Sequence, residues 1–100
     1  METLQVTPWP DDDPSPDRIT REFGLQGLRP FRWSNGAGDS YDVHTHDYHK
    51  VLYCVTGSIT FKVEGESVEL HPGDRLDLPA GRPHSAVVGP EGVVCMEAQA

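Results

Sequence analysis

From Phe31 onward, the chain is a succession of short runs with strand propensity, separated by glycine and proline. In the stretch SITFKV, Ile59, Phe61 and Val63 alternate with polar side chains, which is the two-residue period of a strand with one buried face. The EGE that follows, residues 64–66, is typical of a glycine hairpin turn. Strands this short and this evenly punctuated predict an all-β sandwich or barrel. The predicted strands are 31–34, 40–46, 49–56, 58–64, 67–71, 75–79, 84–89 and 92–98.

Residues 15–30 are predicted to form one short helix and a linker. Ser15 and Pro16 are residue types favoured at the N-cap and at the first helical position. Ile19 and Phe23 lie four residues apart, so on a helix they would form one apolar stripe. The sequence therefore predicts a single short helix before the strands.

Residues 1–14 are acidic and rich in proline, and we expect them to form a flexible tail that folding does not require. The first 17 residues hold no lysine or arginine, although the whole chain has a net charge of −8. The domain itself is predicted to be residues 31–100. The acidic side chains of the segment and its border are Glu2, Asp11, Asp12, Asp13 and Asp17.

Composition argues against nucleic acid and membranes as partners. The chain has 16 acidic and 8 basic residues and no basic stripe, so nucleic acid is not an expected partner. No run approaches the roughly 18 apolar residues of a membrane span, and METLQVTPWP lacks the basic start and apolar run of a signal peptide. We therefore expect a cytoplasmic protein. Cys54 and Cys95 lie in apolar runs, which predicts buried, reduced thiols.

Three of the five histidines lie within six positions, in the stretch HTHDYH. His44 and His46 are two residues apart, so a strand would project both from one face, roughly 7 Å apart. Alternation places His49 on the opposite face unless a turn at residues 47–48 resets the register. From the spacing alone, a surface loop rimmed with histidines remains the alternative to a shared site.

Two motifs resemble those of the cupin superfamily. The stretch GDRLDLPAGRPHSAV contains glycine, five residues, proline, one residue, glycine, two residues and then His84. Earlier in the chain, five residues separate Gly38 from His44-Thr-His46, and Gly57 closes that motif. The chain is therefore similar to the small, single-domain, RmlC-like cupins of type 2. The resemblance implies an antiparallel jelly-roll β-barrel.

The resemblance also implies a metal site inside the barrel. Most metal-binding cupins have a glutamate as third ligand of the first motif, and we assign that position to a histidine, at residue 49. Imidazoles suit Zn, Cu, Fe and Ni, and Mn is not excluded, so one divalent transition metal of unspecified identity is expected. His71 lies outside both motifs and is expected on the surface. The implied ligands are His44, His46, His49 and His84.

Alternation along the strand after the first motif predicts the wall of the cavity. If His49 points inward, Val51 and Tyr53 do so as well, whereas Leu52 and Cys54 face outward. Tyr53 is then the candidate catalytic residue, because its hydroxyl could donate a proton or a hydrogen bond to a substrate. Ordinary barrel packing is the alternative for this side chain. An apolar outer face needs cover, which predicts a homodimer.

Two hypotheses about function remain open, because the cupin fold hosts many activities. The first is a metal-dependent enzyme, dioxygenase-like or an isomerase or lyase, acting on a small oxygen-rich or anionic molecule. A small apolar cavity beside an open metal, which resembles the oxygenase-type cupins with three or four histidines, favours it. The alternative is a non-catalytic module that binds or senses a small ligand with help from its metal. The absence of a carboxylate base favours this alternative.

Overall fold

The computed structural model describes residues 4–10 and 13–100. It confirms the predicted all-β fold with one short N-terminal helix. No helix in the described part of the chain is long and apolar enough to cross a bilayer. The elements are β1 (Gln5–Thr7), α1 (Pro16–Leu25), β2 (Phe31–Asn35), β3 (Ser40–His44), β4 (Lys50–Val63), β5 (Glu66–Leu70), β6 (Arg75–Leu78) and β7 (His84–Gln99).

Strands β4 and β7 form the central pair of the fold, because they pair antiparallel along almost their whole length. One end of this pair is extended into a sheet of order β1-β6-β4-β7-β2, with β1 and β2 at its edges. At the other end, β3 pairs with β7 and β5 pairs with β4. All pairings are antiparallel, and the result is a jelly roll.

Each of the two long strands replaces two predicted strands. The sequence predicted breaks near Gly57 and Gly92, but β4 and β7 continue through these two residues. The β4–β7 register shifts on both sides of Gly57, between Cys54 and Ile59. Gly57 has a φ of 76° and Gly92 a φ of 78°, and both values lie in the left-handed region. These bulges allow one strand to serve both ends of the jelly roll.

The interior of the barrel is apolar, and its composition corrects the predicted orientation of β4. Leu52 and Cys54 point inward, whereas Val51 and Tyr53 face the outside of the sheet. Both faces of this half of β4 are buried, so apolar and polar residues do not alternate along it. The sequence pattern therefore could not show which face points into the barrel. Both cysteines are free and buried, as predicted. The interior cluster is Leu52, Cys54, Ile59, Phe61, Val63, Leu70, Leu76, Leu78, Ala86, Val88, Val93 and Cys95.

Helix α1 covers the outer face of β4 and β7. The Ser15 side chain caps the helix by accepting a hydrogen bond from the backbone N–H of Arg18, at 3.3 Å. Ile19 and Phe23 are fully buried against the sheet. The apolar face of β4 that points out of the barrel is therefore covered within one chain, which removes the premise of the homodimer argument. The homodimer stays a prediction.

The N-terminal segment contributes a short edge strand at residues 5–7, which differs from the flexible tail expected for residues 1–14. Strand β1 pairs with β6, and Val6 lies opposite Leu76. The ring of Trp9 then packs edge-on against Tyr53, with centroids 6.0 Å apart. Proline restricts a strand to the edge of a sheet but does not forbid it, and β1 is an edge strand. Of the predicted tail, Glu2, Asp11 and Asp12 lie outside the described residues.

We expect deletion of residues 2–10 to lower the free energy of unfolding by about 2–4 kcal/mol, because it removes the β1 ladder and the contacts of Trp9. Urea denaturation followed by circular dichroism would measure the change. Trp9→Ala should account for most of the loss. The control is Leu25→Ala, whose side chain is 72% exposed, with an expected change within about 0.5 kcal/mol. An unchanged midpoint after the deletion would mean that the segment is dispensable after all.

Candidate metal centre

Three histidines meet at one end of the barrel. His44 ends β3 and His84 begins β7, and the two residues are direct partners in the ladder. His46 follows in the loop after β3. One ring nitrogen from each histidine lies within 4.8 Å of the other two. The structure thus brings together three of the four ligands that the resemblance implied.

Two of these rings are oriented by backbone carbonyls. Nδ1 of His44 lies 2.7 Å from the carbonyl oxygen of Asp42, and Nδ1 of His84 lies 2.9 Å from that of Arg82. A carbonyl can only accept, so each Nδ1 carries the hydrogen and each Nε2 keeps a lone pair. This is the tautomer in which Nε2 can bind a metal ion.

The Nε2 atoms of His46 and His84 show that the site fits a metal ion. Both atoms are buried, and neither has a hydrogen-bond partner among residues 4–10 and 13–100. Buried polar atoms are normally partnered, so two unpartnered nitrogens in one cluster of histidines require an explanation. A cation bound by His44, His46 and His84 would satisfy both nitrogens at once.

Burial also favours the neutral form of these imidazoles. Desolvation is the largest cause that lowers the pKa of His46 and of His84 below the ordinary value of 6.5. The positive charge of Lys50 lowers the pKa of both rings further. Because metal binding requires neutral imidazole, protons compete less with a metal here than at an exposed histidine.

The structure places His49 outside this cluster, so it does not bring the fourth implied ligand together with the other three. Its Nε2 lies 3.0 Å from Oδ1 of Asp77, a carboxylate that also pairs with Arg75 at 2.8 Å. A turn at residues 47–48 was the condition for His49 to join the site, and β4 begins one residue later, at Lys50. As a result, Lys50 and not His49 reaches the cavity of the three histidines.

Tyr53 is also separated from the histidines, so the proposed catalytic role lacks a structural basis. Its ring packs edge-on against Phe23, with centroids 5.2 Å apart, on the face that α1 covers. Its hydroxyl oxygen accepts a long hydrogen bond from Arg75, at 3.4 Å. The contacts of Tyr53 agree with the alternative expectation, in which its ring serves ordinary packing. His71 has a 61% exposed side chain and lies on the surface, as predicted.

The histidines open into a cavity of about 250 Å³ that contains a buried ion pair. Lys50 and Glu97 are each 7% exposed, and Nζ lies 3.5 Å from Oε1. The indole N–H of Trp33 donates to the same carboxylate oxygen, at 2.7 Å. Besides the three histidines, the cavity is lined by Trp33, Tyr41, Lys50, Ile59, Phe61, Ala86 and Glu97.

Sequence reasoning missed the ion pair, although the chain contains a signal for it. Lys50 opens the apolar run KVLYCV, and Glu97 lies inside the apolar run VVCMEA. A buried charge needs a partner of opposite sign, and these two runs are the paired strands β4 and β7. A single basic residue in one apolar strand and a single acidic residue in its partner strand therefore indicate a buried ion pair.

The profile of the cupin domain matches residues 32–96, and the chain belongs to the cupin family. Quercetin 2,3-dioxygenase of Bacillus subtilis (strain 168) is 41% identical over 49 residues. Those residues are 48% of this chain but only 14% of the length of that enzyme. The resemblance found in the two motifs is thus confirmed.

Solved structures show the same fold. An RmlC-like cupin from Shewanella frigidimarina superposes with a TM-score of 0.65 at 28% identity, over 72% of this chain and 64% of that one. The DMSP lyase DddQ from Ruegeria pomeroyi superposes with a TM-score of 0.66 at 25% identity, over 72% of this chain and 37% of that one.

Proposed function

We propose that this protein binds one divalent transition metal ion through His44, His46 and His84 and uses it in an oxygenase-type reaction on a small oxygen-rich molecule. One observation carries the proposal: the three histidines each offer a ring nitrogen within 4.8 Å of the other two, and Nε2 of His46 and Nε2 of His84 are buried without a partner in the described chain. The similarity to a quercetin dioxygenase supports the reaction class.

The donor set suits this chemistry. Neutral imidazoles are ligands for Fe, Ni, Cu and Zn, and Mn is also compatible, so the identity of the metal is left open. When bound, the ion supplies Lewis-acid and redox chemistry to a coordinated oxygen atom. Three neutral ligands leave the charge of the ion uncompensated, so the site as a whole attracts an anionic oxygen.

The residues of the chain would contribute binding and the exclusion of water. The carbonyls of Asp42 and Arg82 orient two of the ligand rings. Ile59, Phe61 and Ala86 form an apolar wall beside the histidines. A largely apolar cavity with a few convergent polar groups is the usual form of a small-molecule site.

A non-catalytic binding or sensing module is the second candidate, and the state of Glu97 favours it. This carboxylate lines the cavity and would be the natural general base. However, its Oε1 already accepts from Trp33 and pairs with Lys50. A base held by two donors removes a proton from a substrate less readily.

Elemental analysis and oxygen uptake would test the proposal. Protein purified without an affinity tag and loaded with Fe²⁺, Mn²⁺, Ni²⁺, Zn²⁺ or Cu²⁺ should hold about one ion per chain. The protein loaded with a redox-active metal should consume dioxygen when quercetin is added, and a His44→Ala/His46→Ala variant should not. One ion per chain with no uptake from quercetin or simple catechols would favour the binding module. Failure of every metal to bind would refute the metal centre.

A further inference from the structure

The charged β4 side chain in the lining of the histidine cavity is a lysine, Lys50. Lys50 is 7% exposed and lines the same cavity as His46 and His84. Burying an ammonium group is costly, so its position requires a physical reason. Its ion pair with Glu97 explains part of the burial. The geometry of the pair, however, leaves N–H donors of the ammonium group without an acceptor in Glu97.

An ammonium group carries three N–H donors. The Nζ of Lys50 lies 3.5 Å from Oε1 of Glu97, a separation at which the hydrogen bond is long and weak. The same oxygen receives the indole N–H of Trp33 at the shorter distance of 2.7 Å. Glu97 therefore engages at most part of the donor capacity of Lys50, and the remainder is available to a molecule in the cavity.

The net charge of the cavity also favours a ligand that accepts a hydrogen bond from Lys50. Lys50 and Glu97 cancel each other, and His44, His46 and His84 are neutral when they bind a metal. A loaded site would then have an excess of two positive charges, with a lysine ammonium beside the ion. An anionic ligand would compensate the charge of the ion and could also accept a hydrogen bond from the ammonium group of Lys50.

The lining restricts the shape of that ligand. The cavity has a volume of about 250 Å³, and Trp33, Tyr41 and Phe61 contribute rings to its wall. Aromatic side chains pack well against a planar ring. A single-ring aromatic molecule fits these walls better than a long or strongly polar one.

We propose that Lys50 determines the specificity of this site by binding the anionic oxygen of a small aromatic acid or phenolate, whose second oxygen faces the three histidines. The proposal rests on the metal centre proposed above and adds the chemical class of the ligand. Lys50 donates to the ligand oxygen, and Glu97 with Trp33 holds the lysine in place.

The test compares two probes of the same shape, 2-hydroxybenzoate and its neutral amide, 2-hydroxybenzamide. Binding would be measured by calorimetry on Zn²⁺-loaded and metal-free protein, with zinc content determined for every sample. The variant is Lys50→Met/Glu97→Gln, which replaces the ion pair by neutral groups of similar size and leaves Trp33 an acceptor. The control is Lys62→Met, which removes an exposed lysine of the same strand.

We expect wild type to bind 2-hydroxybenzoate roughly 10-fold or more tightly than the amide, since a hydrogen bond to a charged group contributes that much. The double variant should lose this preference and keep its zinc, and the Lys62 control should retain it. A Lys50→Arg variant, which keeps the charge, should restore part of the preference.

Three results would overturn the assignment of Lys50. These are equal affinity of wild type for both probes, no binding of 2-hydroxybenzoate at millimolar concentration, and an unchanged preference in a zinc-loaded double variant. Wild type alone decides the first two, so a misfolded variant would not rescue the proposal. A wild type that binds no metal but prefers the benzoate in a Lys50-dependent way would refute the metal centre alone.

Discussion

Replacement of His84 by alanine is expected to lower the affinity of the protein for a divalent metal by at least about 100-fold. His84 is the most deeply buried of the three histidines, at 2% exposure, and its Nε2 has no partner within the described residues. Its ring also lies close to both other ligands, with centroids 4.2 Å from His44 and 5.0 Å from His46. Removing it leaves two ligands and an apolar gap. Titration with Zn²⁺ against a competing chelator would measure the affinity.

Two further histidines serve as matched controls for this prediction. His49→Ala removes a ring that bonds to Asp77, and His71→Ala removes an exposed one. Both variants should keep the metal affinity of wild type. If His49→Ala instead lost as much affinity as His84→Ala, the four-histidine site implied by the family resemblance would be correct and the observed cluster incomplete.

A Gly57→Ala variant is expected to lose about 3 kcal/mol or more of its free energy of unfolding. The φ of Gly57 is 76°, where an L-residue is strained. In addition, a Cβ at this position would lie 2.0 Å from the carbonyl oxygen of Gly92. The clash is with backbone atoms, so no rotamer change can relieve it. The paired strands β4 and β7 would have to move apart at this point. Equilibrium denaturation in urea would measure the loss.

Gly65→Ala is the matched control for the backbone clash. Gly65 also has a positive φ, 87°, but a Cβ there would meet nothing within 4 Å. Its loss should therefore reflect strain alone, about 1 kcal/mol. Equal losses in the two variants would show that the contact between Gly57 and Gly92 contributes nothing.

The amino-acid sequence by itself determined the features that depend on neighbouring residues. The helix cap at Ser15, the stripe of Ile19 and Phe23 and the hairpin at Gly65 are local, and all three were predicted. The two motifs that resemble those of the cupins likewise pointed to His44, His46 and His84, which the structure brings together, and to His49, which it does not. Local backbone preference is sufficient for the helix cap, the apolar stripe and the hairpin.

Only the tertiary structure decided the orientation of β4, and with it the contents of the cavity. One face of this strand packs into the barrel and the other against α1, so Leu52 and Tyr53 are both buried. A strand that is apolar on both faces has no alternation to show which side is inside. A shift of one residue exchanges His49 for Lys50 at the site, and only the pairing with β6 and β7 sets that register. In the same way, β1 has no apolar pattern of its own, because its position depends on the open edge that β6 offers.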